Sequence, residues 1–293
     1  MNILVLGGSY FLGPIFVKNA IENRHSVTVF NRGNRPLCIE GVSEIRGDRT
    51  VPEDLEKITE KYDALVDFCA YEKGDIKRVK EVLGDRTGRY VFISTVDVYE
   101  RGSGRILDEN AAFETRDFGG ETGAYILGKV SLEAEIKELD DYCVLRPSVI
   151  YGPGNYAPRE NIYFKWINAA GQILEPAPSD GSFQLVFAGD VARAALEACS
   201  REEFAGKAFN VSPSPAINYE EFTGILRGSC GVDFEVIKVT PEEAFLQQVP
   251  FPFPLFKEES EKYDGSALEN TGFVYTDVTE GMTETWREYV HSR

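Results

Sequence analysis

Histidine is nearly absent: His25 and His291 are the only two in 293 residues. A histidine triad or a histidine metal cluster therefore has nothing to be built from. The five cysteines (Cys38, Cys69, Cys143, Cys199, Cys230) are odd in number and never in CxxC spacing, which excludes a disulfide framework and a thiolate zinc site. They read as buried thiols, with Cys69 and Cys143 in apolar strand-like runs. No stretch approaches the roughly 20 apolar residues that span a bilayer. The opening MNILVLGG enters a strand-like run at once, without a basic leader or a cleavable apolar segment. Positive charge is also short, with 31 Lys and Arg against 48 Asp and Glu and a net charge of -17. Such a surface repels phosphate backbones and anionic lipid heads, so we expect neither a nucleic-acid nor a membrane partner. A cytoplasmic chain with 43% hydrophobic residues remains, enough for one large domain or two coupled ones.

Apolar runs alternate with helical patterns through the first half. Asn2–Leu6, Ser26–Phe30, Ala64–Phe68, Tyr90–Ser94 and Tyr142–Arg146 read as strands, and a third strand is expected just before Gly47. Gly13–Glu22, Glu53–Lys61, Asp75–Leu83 and a long segment around Gly123–Leu139 read as helices. Apolar strands with intervening helices imply an α/β Rossmann fold, a doubly wound parallel sheet buried on both faces. After Gly152 prolines become frequent, ending in PFPFP at Pro250–Pro254, and the text reads as loops and short elements. Phe183–Ala188 is a strand candidate there and Asp190–Cys199 a helix candidate. The expected organisation is a nucleotide-binding domain over residues 1–150 plus about 183–212. A smaller discontinuous substrate lobe takes about 151–182 plus 213–293.

The segment Gly7-Gly8-Ser9-Tyr10-Phe11-Leu12-Gly13 joins the first strand to the first helix. Gly7 permits a sharp turn and close approach of backbone N–H groups to a pyrophosphate, and Gly13 lets the helix pack closely. We read Gly7, Ser9, Tyr10, Phe11, Leu12 and Gly13 as the phosphate loop. At the end of the second strand a carboxylate would bind ribose hydroxyls, but Asn31-Arg32 stands there, with Arg35 nearby. An arginine pairs with a 2′-phosphate, which favours NADP over NAD. Asp48 and Arg49 follow the third strand, where Asp48 either accepts from the adenine amino group or caps the turn.

Tyr125 and Lys129 are four residues apart, so a helix sets them on one face. A tyrosine of pKa about 10 is a poor base near neutrality. A neighbouring ammonium favours the phenolate, so we expect Lys129 to lower the Tyr125 pKa. The strand Phe92-Ile93-Ser94-Thr95 ends in hydroxyl residues, and Ser94 or Thr95 is expected to face the cofactor crevice and orient a substrate oxygen toward Tyr125.

These segments resemble the extended short-chain dehydrogenase/reductases, the NAD-dependent epimerase/dehydratase family. The likeness runs through GGSYFLG, ISTVDVY, YILGK, LRPSVIYGPG and FAGDVA, and through the late FNV and YDGS, so it covers nearly the whole chain. The resemblance implies Thr95, rather than Ser94, as the catalytic hydroxyl. It implies Tyr125 as general base or acid and Lys129 as holder of the nicotinamide ribose. Ala70 falls on the adenosine side, Pro147 and Val149 at nicotinamide contacts, and Asp190 at a structural carboxylate. Dehydratases of the family follow the threonine with Asp-Glu, whereas Val96 and Asp97 stand here, which argues against dehydration. Tyr10 replaces the middle glycine of the loop, a departure that points to an atypical subgroup including reductases and plastid RNA-binding proteins.

The reading that follows is an NAD(P)-dependent oxidoreductase or epimerase of a sugar nucleotide or similar hydroxylated metabolite. It works through Thr95, Tyr125 and Lys129. A homodimer is implied by the resemblance. The competing reading is a cofactor-bound regulatory or RNA-binding Rossmann protein, which the charge opposes. In the substrate lobe Tyr151, Asn155, Tyr156, Arg159 and Asn161 are pocket candidates or loop scaffolding. Phe251, Phe253 and Phe256 read as a packed loop or a dimer contact.

Overall fold

The computed structural model describes residues 1–102 and 104–292. In chain order the elements are β1 (Asn2–Leu6), α1 (Leu12–Glu22), β2 (Ser26–Asn31), β3 (Val42–Arg46), α2 (Pro52–Leu55), β4 (Tyr62–Asp67), α3 (Asp75–Leu83) and β5 (Thr87–Ile93). Then come β6 (Ile106–Leu107), α4 (Gly120–Ile136), β7 (Tyr142–Pro147), β8 (Val149–Tyr151), α5 (Glu160–Ala170), β9 (Gln172–Pro176), β10 (Leu185–Phe187), α6 (Ala188–Ala198) and β11 (Lys207–Val211). The chain continues with α7 (Tyr219–Cys230), β12 (Glu235–Val239), α8 (Pro241–Leu246), β13 (Lys262–Tyr263), α9 (Ser266–Glu269) and α10 (Val278–His291).

Seven strands form one parallel sheet in the order β11-β7-β5-β4-β1-β2-β3. The period-2 alternation of each strand divides its side chains between two cores. Ile3, Val5, Val27, Val29, Ala64, Val66, Val91 and Leu145 pack with α1 and α6 on one face. Leu4, Leu6, Phe30, Leu65, Phe92 and Val144 pack with α2, α3 and α4 on the other. That is why these strands read as unbroken apolar runs. The chain leaves β1 for β2 and β3 on one side and returns to β4 on the other. The gap between the carboxyl ends of β1 and β4 is thus the switch point where α/β sheets bind ligands.

A further apolar cluster gathers α5, α7, α10 and the pairs β8–β10 and β9–β12 around Phe164, Phe183, Phe222 and Trp286. Phe253 stacks on Phe183 at 4.0 Å between centroids, so the PFPFP segment is a packed loop. This region holds more regular structure than its prolines suggest. Pro158 lies just before α5, Pro176 ends β9, and Pro241 opens α8. α7 is started by an unanticipated capping box of Asn218 and Glu221.

The helix expected over 53–61 stops at Leu55. Its last turn tightens, with Lys57 N–H donating to Asp54 O and Ile58 N–H to Leu55 O, so that Leu55 and Ile58 are both buried. The expectation of uniformly buried thiols also needs correction. Cys143, Cys199 and Cys230 are buried, but Cys69 is half-buried and Cys38 is exposed on an irregular loop. Among the described residues no helix is long and apolar enough to cross a membrane.

Candidate active site

The loop after β1 is shaped by close backbone approaches. Gly7 has φ +89, and its N–H donates to Phe30 O at 2.9 Å. A Cβ on Gly7 would stand 3.1 Å from Cys69 Cβ, so this loop and the one after β4 nearly touch. A Cβ on Gly13 would stand 2.3 Å from Gly8 Cα, which no side chain tolerates. Phe11 stands at the helix N-cap with φ 44, a strained conformation for a non-glycine residue. α1 carries no side-chain cap and no acid in its first turn. Neither its N-cap nor its first turn supplies an anion to its positive end. Ser9 Oγ is buried without a partner beside it. Leu12 is buried in the core and Phe11 packs partly against it, so their contribution at the loop is backbone. Tyr10, which stands where the family pattern has a glycine, is 59% exposed, with the Arg35 guanidinium 4.6 Å from its ring centroid. The donors fit a pyrophosphate: a hydroxyl, backbone N–H groups and a helix dipole whose own first turn carries no acid.

The next two strand ends are partly spoken for. Asn31 is buried, and its Oδ1 accepts from Gly33 N–H at 2.7 Å, closing the turn after β2. Arg32 is exposed, and its charge helps hold the Asp48 carboxyl below its usual range, behind hydrogen bonds from Thr50. Asp48 Oδ1 accepts from Thr50 N–H and Oγ1 at 2.9 and 2.7 Å, so of its two anticipated uses the turn cap is the one seen. Arg49 is a correction. Its side chain turns inward, donating to Asp67 Oδ1 at 2.7 Å, Cys69 Sγ at 3.3 Å and Asp75 O at 3.1 Å. Asp67 is wholly buried and also accepts from Tyr90 OH, so Arg49 is spent on a buried ion pair. Ala70 is likewise wholly buried in the core beneath the loop, so its side chain lines no groove.

α4 carries Tyr125 and Lys129. At Gly128 a Cβ would lie 2.1 Å from Tyr71 O, so α4 lies directly on the loop after β4. Tyr71 and Tyr125 rings are consequently 6.2 Å apart. Lys129 Nζ is buried, donates to Ile93 O at 2.8 Å, and lies 4.7 and 4.8 Å from the Phe92 and Tyr71 ring centroids. It is 5.9 Å from the Tyr125 ring centroid. Thr95, two residues past the end of β5, donates to Asp97 Oδ2 at 3.1 Å and accepts from Asp97 N–H at 3.2 Å. Ser94 does not face the crevice: its hydroxyl donates to Glu133 Oε1 at 2.7 Å.

The electrostatics differ from expectation. Tyr125 is 36% exposed as a residue, but desolvation of its phenol end still pushes the pKa up to about 12, and the Asp97 charge adds to this, while Thr95 and Arg159 pull it back. Burial pulls Lys129 down to about 8. The anticipated lowering of the phenol by Lys129 is therefore not realised in the chain itself. The ammonium is tied to a carbonyl under two rings, and a carboxylate acts on the phenol instead. At neutral pH Tyr125 keeps its proton, the state suited to donating one.

Beneath this set lies a network that the sequence reading missed. Glu133, wholly buried, accepts from Arg146 Nε at 2.8 Å and Nη2 at 2.6 Å; Arg146 Nη1 donates to Tyr99 OH at 2.7 Å, and Tyr99 donates to Asn210 Oδ1 at 2.7 Å. Positions 125, 129 and 133 share one helical face, a signal that was available. At the end of β7, Pro147 pairs with Val211 in register, and Val149 opens β8 half-buried. Ser148 and Ser212 beside them carry buried hydroxyls without partners among the described residues. In the following loop Asn155 and Asn161 are scaffolding: Asn155 Nδ2 donates to Glu160 and Asn161 Nδ2 to Asn155 O and Ala157 O. Tyr151 is buried, while Tyr156 is 69% exposed and meets Tyr10 edge-on at 5.8 Å. Asp190 is structural, accepting from Thr276 N–H and Oγ1 at 2.9 and 2.6 Å.

Residues 3–212 match the model of the NAD dependent epimerase/dehydratase family. The chain belongs to this family. A chloroplast stem-loop binding protein of 41 kDa from Arabidopsis thaliana is 24% identical over 97% of this chain and 78% of its own length. A 2-alkyl-3-oxoalkanoate reductase from Stenotrophomonas maltophilia is 28% identical over 53% of this chain and 52% of its own. Among solved structures, a UDP-N-acetylglucosamine 4-epimerase from Methanobrevibacter ruminantium shares the fold with a TM-score of 0.81 at 17% identity, covering 100% and 99% of the two chains. Other structures of this fold, 17–18% identical, were determined with NAD bound.

Proposed function

We propose that this family member is an NAD(P)-dependent oxidoreductase or epimerase of a sugar nucleotide or similar hydroxylated metabolite. Residues about 151–182 and 213–293 would form its substrate lobe. The observation that carries the reading is the convergence of Thr95, Tyr125 and Lys129 at the carboxyl edge of the sheet, beside a glycine loop built for a pyrophosphate. Gly7, Ser9 and the backbone to Gly13 would hold the phosphates, and Lys129 and the segment Pro147–Val149 the nicotinamide end. A bound nicotinamide supplies the donor or acceptor of hydride. Thr95 orients the substrate oxygen, and Tyr125 gives its proton to that oxygen or takes it back. The cation of Lys129 supports a developing phenolate once the site is dry.

The preference for NADP rests on Arg32, exposed and in no direct ion pair among the described residues, and on an Asn31 whose oxygen is occupied by Gly33. Titration of the chain with NADPH and NADH is the test. Arg32→Ala is expected to weaken NADPH by about tenfold, the loss of one charge-assisted contact, and NADH little. Equal weakening of both would refute the assignment.

The likeness to the Arabidopsis protein over 97% of this chain supports a second reading, binding of stem-loop RNA. The charge of -17 opposes it. In a gel shift at physiological salt we expect no retention of a stem-loop RNA; tight retention without redox activity would reverse the ranking.

A further inference from the structure

Tyr10, which replaces a glycine of the phosphate loop, has a partner from the substrate side. The Tyr156 ring meets the Tyr10 ring edge-on at 5.8 Å and 88°, and the Phe11 ring at 6.2 Å and 86°. Edge-to-face contact at this spacing is an arrangement that aromatic quadrupoles favour. The Arg35 guanidinium, from the loop after β2, adds a third loop to the cluster, 4.6 Å from the Tyr10 centroid. Both tyrosines are largely exposed, so the contact is not core packing.

Each ring stands on backbone that is held in place. Tyr10 O accepts from Gly13 N–H at 2.9 Å, and Phe11 keeps its strained φ of 44. In the loop after β8, Asn155 Nδ2 donates to both oxygens of the buried Glu160, and Asn155 Oδ1 accepts from Ala157 N–H at 3.0 Å. Asn161 Nδ2 donates to Asn155 O and Ala157 O at 3.2 and 3.1 Å, and Arg159 Nη1 to Ile150 O at 3.0 Å. The residues on both sides of Tyr156 are thus pinned to the start of α5. A contact between two fixed loops escapes most of the ordering cost of a floppy surface pair. The phosphate loop follows β1 of the main sheet, whereas β8 pairs with β10 beside the second apolar cluster. The Tyr10–Tyr156 contact therefore bridges the two walls of the groove that a dinucleotide would follow from Ser9 to Lys129.

We propose that Tyr10 and Tyr156 form an aromatic latch across this groove, which has to open before a dinucleotide enters or leaves. This rests on reading the loop from Gly7 to Gly13 as the dinucleotide site. The latch consists of protein rings alone, so opening it costs the same with the groove filled or empty. Entry and exit are slowed by the same factor. The latch also gives the replaced glycine a use, since a glycine at position 10 would leave Tyr156 only the Phe11 ring.

Stopped-flow mixing of the full chain with NADPH, followed by nicotinamide fluorescence, reads binding, and displacement by excess NADP⁺ reads release. Tyr156→Ala removes both ring contacts and should speed binding and release about tenfold each, leaving Kd within about twofold. Tyr10→Ala should speed both by a smaller factor. The double variant should be no faster than Tyr156→Ala, because the Tyr10 ring acts only through Tyr156. Tyr156→Phe keeps the edge contact and should retain wild-type rates. Both positions are exposed, so these variants keep the fold.

The failures separate. Wild-type rates in Tyr156→Ala refute the latch and leave the dinucleotide reading standing. Faster release with unchanged binding makes Tyr156 a contact of the bound cofactor and refutes the gate. Multiplying effects in the double variant refute the two rings as one device. A wild-type chain that binds neither NADPH nor NADH contradicts the dinucleotide reading, and the latch falls with it.

Discussion

Tyr125→Phe is expected to lower turnover by about 10²- to 10⁴-fold while leaving NAD(P)H affinity unchanged, because it removes a proton donor and no cofactor contact. Burial with the Asp97 charge pushes the phenol up to about 12, against a smaller pull from Thr95, so it stays protonated across the neutral range. The pH profile of kcat/KM for ketone reduction should therefore show no limb from Tyr125. It should fall above about pH 8, where Lys129 loses its ammonium charge, since burial pulls that pKa down to about 8. Tyr125→Phe should lower the plateau and leave the limb in place; Lys129→Met should remove the limb. Assays across a panel of UDP-sugars and simple ketones decide the matter. Full turnover by Tyr125→Phe on any identified substrate would rule out the proton-transfer role.

The second large effect concerns stability. Glu133 and Arg146 are 0% and 1% exposed and joined by two hydrogen bonds, with Ser94 donating to the same carboxylate. Glu133→Ala leaves a buried guanidinium without its anion, and such a loss costs about 3–5 kcal/mol. We expect a matching drop in unfolding free energy from urea denaturation. Replacing both partners, Glu133→Leu with Arg146→Met, should recover most of it, because the penalty comes from the orphaned charge. Glu133 lies two turns beyond Tyr125 on the same face of α4, so this network seats the helix on β5 and β7. A loss under about 1 kcal/mol, as for a solvated surface pair, would show that the charge is not isolated from water.

The layout of the nucleotide-binding half was legible because buried parallel strands are written as uninterrupted apolar runs. β1 was placed residue for residue, and α3 likewise. Tyr125 and Lys129 were legible from spacing, and Thr95 rather than Ser94 from the family pattern. What escaped depends on partners far along the chain. Arg49 looks like a solvent-facing loop cation until Asp67 is placed under it. The phenol pKa was misjudged because spacing shows Lys129 near Tyr125 but not the Ile93 carbonyl that holds its ammonium. The role of Gly128 is invisible without the Tyr71 carbonyl against it. In the later segments, prolines were read as breakers, although Pro158, Pro176 and Pro241 stand at element boundaries, where proline is tolerated.

The central claim is that Tyr125 and Lys129 share a crevice with a dinucleotide seated on the loop from Gly7 to Gly13. A crystal structure of the chain grown with NADPH tests it most directly. The account predicts dinucleotide density running from Arg32 past Gly7 and Ser9 to Lys129, with the Tyr125 phenol facing its far end. Density seated elsewhere, or a phenol turned away to solvent, would contradict it.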